Sequence, residues 1–285
     1  MCGWSAVEYA VTKNANVVGL LLTGADCDNL GRGGSRKAKA IEMRERNCAL
    51  VVVGNEILSG KVQDSNAFFA AREFRKMGVA LSRIATIPDD LAIIAEEVSY
   101  CSRHFDFVIT SGGVGPTHDD MTMEGVAMAF KRRLVMHPKL EGLIREHFKE
   151  RSLESGLKMA EVPEGAVLND GGDIRFPTVQ IENVYVLPGI PQLFEAKLLA
   201  LKSRFATDPY FMRAIYTSTG EGNIAEHLND CVRNFPELML GSYPRIGDPE
   251  YRVKLTLESK NPEYLERAFR HLMGLLPSEV VVKTE

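Results

Sequence analysis

A chain of 285 residues, 45% hydrophobic and 25% charged with a formal net charge of −4, can bury one large core or two smaller ones and lacks the basic excess of a nucleic-acid binder. Its five cysteines (Cys2, Cys27, Cys48, Cys101 and Cys231) are odd in number, scattered and without a C-x-x-C pair, a pattern of reduced thiols rather than a disulfide framework or zinc site. No apolar run approaches bilayer length; the longest early one, Val17 to Thr23, is followed by Asp26 and Asp28, so no membrane partner is expected.

Residues 1–46 are poorly patterned, with a glycine and basic patch from Gly31 to Lys39. A flexible leader is expected there, an organelle-targeting segment or an unusual gene start being the alternatives. Glu8 interrupts the acid-poor character of a transit peptide, so a cytoplasmic location is expected over a mitochondrial one. Regular structure becomes legible at Ala49-Leu50-Val51-Val52-Val53, a strand stopped by Gly54. Ala67, Ala70, Ala71, Phe74 and Met77 recur at helical spacing, with Gly78 as the stop. Val79 to Ile87 reads as a strand, Leu91 to Cys101 as a helix, Asp106 to Thr110 as a strand, and Met121 to Phe130 and Pro138 to Lys149 as helices. A strand or hairpin follows over Val179 to Leu187, then a helix to about Phe205.

Strands alternating with helices predict a three-layer α/β/α domain over 47–207 with a mostly parallel sheet. Beyond Asp208-Pro209 the rhythm changes. Strands at Phe211–Thr217, Leu238–Tyr243, Arg252–Glu258 and Val280–Val282 interleave with helices at Ile224–Phe235 and Tyr264–Leu276. That βαββαβ order predicts a small ferredoxin-like α+β domain over 208–285.

The chemistry concentrates where strands end. Ser111-Gly112-Gly113-Val114-Gly115-Pro116-Thr117-His118-Asp119-Asp120-Met121-Thr122 joins a buried strand to a helix through a glycine-dense turn carrying two carboxylates. Glycines let backbone N–H groups approach an anion, and a helix N-terminus adds partial positive charge. Paired aspartates would repel a phosphate unless a divalent cation lay between them. Gly54-Asn55-Glu56-Ile57-Leu58-Ser59-Gly60 and Pro88-Asp89-Asp90 follow the two preceding strands, and in an open α/β sheet such loops share one edge. Plainer readings exist: Asp89 and Asp90 suit helix N-caps worth about 1 kcal/mol, and Thr117-His118-Asp119-Asp120 suits a capping box. His118 reads as a surface residue, and Cys48 and Cys101 as packing residues.

Together with Leu187-Pro188-Gly189-Ile190-Pro191, these motifs resemble the molybdopterin-binding (MoaB/Mog) superfamily, nearest to the N-terminal domain of CinA-type proteins and animal FAD synthases. Arg175-Phe176-Pro177-Thr178-Val179 and Leu240-Gly241-Ser242-Tyr243-Pro244 are similar to the FAD-synthase branch specifically. The resemblance covers about residues 48–285. It implies Asp89 and Asp120 as the key site carboxylates, with Asp119 beside them. These three are the expected catalytic and metal-positioning residues, and Glu56, which reads equally as a solvated loop glutamate, is a further candidate metal ligand. It implies Gly54, Ser59, Gly60, Ser111, Gly112, Gly113, Gly115, Thr117, Thr122 and Gly189 as the phosphate- and nucleotide-binding set.

The implied activity is metal-dependent hydrolysis of FAD to FMN and AMP, or of ADP-ribose-like dinucleotides. Oxygen ligands suit Mg²⁺ or Mn²⁺; Co²⁺ and potassium are implied by the resemblance alone, as is self-association. FAD synthesis is not expected, because the family's adenylyltransferase domain has no room in this chain; a separate adenylyltransferase could act in trans. The rival readings are a non-catalytic flavin- or nucleotide-binding regulatory module and molybdopterin adenylylation. Two departures stand out. Asn55 occupies a position where the branch commonly carries aspartate, and Asn169-Asp170-Gly171-Gly172-Asp173 is only loosely like the family's loop.

Overall fold

A computed structural model describes residues 45–148, 150–171 and 174–285. The leader expected over 1–46 therefore lies, apart from its last two residues, outside the described residues, as do Lys149, Gly172 and Asp173. The first strand, β1 (Asn47–Val53), is buried at every position after Asn47. Its alternating side chains serve two cores. Cys48, Leu50 and Val52 pack with Phe74, Phe194 and Phe205, while Ala49, Val51 and Val53 pack with Ile94, Val98 and Val126. A strand so placed must have helices on both sheet faces, which explains an unbroken apolar run where a half-exposed strand would alternate.

The chain continues through α1 (Asn55–Leu58), α2 (Asn66–Lys76), β2 (Ala80–Ile87), α3 (Leu91–His104), β3 (Phe107–Ser111) and α4 (Thr122–Ala129). Next come β4 (Leu134–Met136), α5 (Pro138–His147), α6 (Glu150–Leu157), a 3-10 turn (Lys158–Ala160) and β5 (Glu161–Pro163). Then follow β6 (Val167–Gly171), β7 (Ile174–Ile181), β8 (Val184–Leu187), α7 (Pro191–Ala200) and α8 (Lys202–Phe205). The main sheet has the order β2-β1-β3-β8-β7-β6. β1 pairs in parallel with β2 and β3, and β3 with β8, as the βα alternation predicts. The far side is antiparallel: β7 returns as β8 through a turn at Glu182, whose φ is 49°, and β6 pairs with β7. The run 179–187 is thus a hairpin. β4 and β5 form a separate two-stranded ribbon that periodicity did not reveal.

The last 75 or so residues build a second sheet from β9 (Phe211–Thr217), α9 (Glu221–Asn234), β10 (Met239–Pro244), β11 (Val253–Ser259), α10 (Pro262–Leu275) and β12 (Val281–Thr284). Its order is β10-β11-β9-β12, antiparallel throughout, over a core of Ile215, Leu255, Leu257, Leu265 and Leu272. The α+β reading of this region holds, with both helices on the apolar face. Among the described residues no helix is long and apolar enough to cross a membrane.

Candidate functional site

Because β2, β1, β3 and β8 are adjacent and parallel, the loops after them emerge at one sheet edge. Backbone contacts hold those loops together. The Gly54 N–H donates to Ile87 O at 3.1 Å, and the Asn55 N–H donates to Asp89 Oδ2 at 2.8 Å. After β3, Gly112 and Gly113 adopt φ of 100° and 63°, a left-handed turn that disfavours any side chain. Space forbids one as well: a Cβ on Gly112 would lie 2.2 Å from Val53 O, and one on Gly113 2.3 Å from Thr122 Oγ1. Gly189 comes so close that its Cβ would meet the Gly112 Cα at 3.2 Å. Buried Thr122 donates its hydroxyl to Gly112 O (2.8 Å) and its N–H to Gly113 O (2.9 Å), locking the start of α4 onto the turn. No side chain caps that helix end.

The carboxylates divide into two roles. Asp90 caps α3, accepting from the N–H groups of Ala92 (2.9 Å) and Ile93 (3.0 Å), so the plain reading holds for it. Asp89 turns instead to Asn55. Asp119 and Asp120 converge on Thr117, whose hydroxyl lies 2.5 Å from Asp119 Oδ1 and 2.6 Å from Asp120 Oδ2. The Thr117 N–H also donates to Asp120 Oδ2, at 2.8 Å. The Thr117 hydroxyl, then Asp119's own backbone N–H, hold the exposed Asp119 carboxyl below its usual range. His118 is exposed at 3.9 Å from Asp119, the surface position expected of it. Cys48 and Cys101 are buried, and burial pushes both thiols up, the environment of packing residues.

Two recesses flank the glycine turn. One is lined by Val53, Glu56, Asn66, Ser111, Gly112 and Gly189. The other is lined by Gly113, Gly115, Asp120, Glu124, Lys158 and Glu161. Glu56 thus stands on one side of the turn and Asp120 on the other. Among the described residues no three His, Cys, Asp or Glu side chains gather as a complete metal cage would require. The Asp119–Asp120 pair fits a more open arrangement, in which phosphate and water oxygens complete the shell of a Mg²⁺-type ion.

Ser59 and Gly60 line neither recess. Ser59 ends α1, its hydroxyl donating to Glu56 O at 3.3 Å, and both residues are exposed. Two residues at the recesses escaped sequence reasoning. Asn66, 6% exposed, donates from Nδ2 to Ser111 Oγ (2.9 Å) and Gly189 O (2.8 Å), bridging β3 to the β8 loop. The only local signal was a polar residue at a helix start. Lys158 arrives from the far end of α6 and donates to Thr117 O at 2.6 Å, with no local signal at all.

The family described as "probable molybdopterin binding domain" matches residues 49–205, and that described as "FAD synthase, middle domain" matches 209–285. The chain is 37% identical over 229 residues to a protein of Archaeoglobus fulgidus, covering 80% of this chain and 96% of that one. It is 31% identical over 266 residues to a probable FAD synthase of Caenorhabditis briggsae, covering 84% of this chain but 51% of the relative, about half its length. The crystal structure of CinA from Thermoplasma acidophilum, a protein described there as of unknown function, shares 30% identity at a TM-score of 0.52, over 56% of this chain and 98% of that one. The glycine turn, the edge it shares with β1, β2 and β8, and a match over more than half the length agree: the chain belongs to the molybdopterin-binding (MoaB/Mog) domain family, followed by an FAD-synthase-type middle segment.

Proposed function

We propose that this protein hydrolyses the pyrophosphate bond of FAD, giving FMN and AMP, or that of ADP-ribose-like dinucleotides. The observation that carries the reading is the left-handed Gly112–Gly113 turn, barred to any side chain, set beside two carboxylates that meet at one threonine hydroxyl. Bare backbone at such a turn can lie against a phosphate, and α4 adds the field of its N-terminus. Asp119 and Asp120 would hold a divalent cation together with the substrate's phosphate oxygens, and Asp89 fixes the β1 loop against the same edge. When bound, such a cation offsets charge on the phosphate and acidifies water. The likeness to a probable FAD synthase supports a flavin dinucleotide as substrate.

Chromatographic product analysis tests it. Protein is incubated with FAD, ADP-ribose or NAD under Mg²⁺, Mn²⁺ or Co²⁺ with potassium, beside an Asp120→Asn control. FMN and AMP from the unaltered protein alone establish the hydrolase. Hydrolysis that survives in folded Asp120→Asn refutes the assignment. One observation favours a second reading: Asp89 and Asp120 already accept backbone N–H groups, as structural residues do. A non-catalytic flavin- or nucleotide-binding module would bind FAD tightly without turnover under every metal.

A further inference from the structure

The recess beyond the glycine turn carries three carboxylates, Asp120, Glu124 and Glu161, against a single cation among its lining residues, Lys158. That lysine is carried by an element independent of the turn. The 3-10 turn Lys158–Ala160 is held at its far end by the His137 N–H, which donates to Ala160 O at 2.9 Å, and Ala160 is wholly buried. It runs directly into β5, which is paired with β4. From this anchored base the side chain reaches 41 positions back along the chain to the carbonyl of Thr117 at 2.6 Å. Its charge acts on the nearby Asp119 carboxyl, yet among the described residues no carboxylate stands within ion-pair distance of its ammonium. An ammonium has three donors and one is used on Thr117, so two remain.

We propose that Lys158 is a phosphate-binding residue, its ammonium contacting the diphosphate of a nucleotide held at the Gly112–Gly115 turn. The inference rests on the reading of this edge as a dinucleotide site. An anion entering so acidic a recess needs compensating charge beyond one divalent ion. Lys158 supplies it from a seated segment, at the point where Thr117, Asp119 and Asp120 meet. Its bond to the Thr117 carbonyl aims the ammonium along the turn before ligand arrives, so little ordering is left to binding.

The test is binding of non-hydrolysable α,β-methylene analogues of ADP-ribose and FAD by calorimetry with Mg²⁺ over a range of salt, using the whole chain, with hydrolysis of ADP-ribose and FAD followed separately by chromatography. Lys158→Met is expected to weaken both ligands by about 10- to 100-fold at low salt, the scale of a lost charge-assisted hydrogen bond. Lys158→Arg is expected to retain most of the affinity. The Met variant and the unaltered protein should converge as salt screens the contact. A lysine that merely latches the Thr117 loop would give the same affinity ratio at every salt concentration, and that result, or no loss in Lys158→Met, overturns the proposal. Thermal melting of both variants without ligand separates misfolding from lost contact. Should Lys158→Met fail to fold, a salt-independent affinity in the unaltered protein would still refute the inference. Lysine-dependent binding without hydrolysis removes only the hydrolase, hydrolysis without lysine dependence removes only this inference, and no binding or turnover removes both.

Discussion

Gly112→Ala should be among the most damaging single changes at the sheet edge, and its cost can be worked from geometry. At φ 100° an alanine pays roughly 1–2 kcal/mol for left-handed backbone. Its Cβ would then lie 2.2 Å from the Val53 carbonyl oxygen. That oxygen sits at the end of β1, which is paired on one side with β2 and on the other with β3, so it cannot yield cheaply. Overpacking of this kind adds about 1–3 kcal/mol. The total, about 2–5 kcal/mol, corresponds to a fall in Tm of roughly 5–15 °C for a chain of this size. Gly165→Ala is the internal control: φ there is 87°, but among the described residues nothing would lie within 4 Å of its Cβ, so only the strain applies. Thermal and urea denaturation of both variants separates the terms. If Gly112→Ala is no more destabilising than Gly165→Ala, the close approach of turn and β1 is wrong, and with it the bare-backbone cradle.

Asp90→Ala should cost about 1 kcal/mol in urea denaturation by uncapping α3, and leave FAD binding unchanged. Its neighbour should behave in the opposite way: Asp89→Ala removes the oxygen that holds the Asn55 N–H, so it should lower FAD hydrolysis, by chromatography. Asp89→Asn keeps that acceptor and should hold both hydrolysis and stability, the latter within about 0.5 kcal/mol. Asn66→Ala strips the Gly189 carbonyl and Ser111 hydroxyl of their donor and should lower stability by about 1–3 kcal/mol in the same denaturation assay. Lys197 is buried, donating to Phe176 O (2.7 Å) and Pro177 O (3.1 Å), and burial pushes its ammonium down from the usual 10.5 to about 8. Between those values Lys197 binds a proton in the unfolded chain and not in the native state, so its own contribution to stability rises from about pH 8 to pH 10.5. Above about pH 9 that rise is opposed by the buried thiols of Cys48 and Cys101, which keep protons that the unfolded chain loses. Urea titrations across that range should show the rise flattened in Lys197→Met, by about 3 kcal/mol at most.

How far the sequence led depends on whether a residue's job is local. The βα alternation through β1, β2 and β3 was legible because strands buried on both faces must be apolar throughout, and β1 is. The hairpin of β7 and β8 was half legible, since its turn is made by Glu182 at φ 49°, a conformation glutamate does not advertise. β6 was missed because Asn169 and Asp170 interrupt its pattern, although Asn169 is buried and its Nδ2 donates to Gln180 Oε1 at 2.9 Å across the pair. The glycine turn could be read because a left-handed, crowded backbone leaves glycine as the one residue that serves. Asp89 and Asp90 could not be told apart, being adjacent, identical and both acceptors of backbone N–H groups. Which one caps α3 and which reaches Asn55 is fixed by the register of β2 against β1, a tertiary fact. Asn66 and Lys158 lie further beyond local inference, since their partners, Ser111 and Gly189 for one and Thr117 for the other, are separated from them by 41 to 123 positions. Capping a helix and seating a phosphate call on the same donors and acceptors. At a sheet edge, therefore, residue types narrow a site to a loop, and only the contacts arriving from distant segments divide its scaffold from its chemistry.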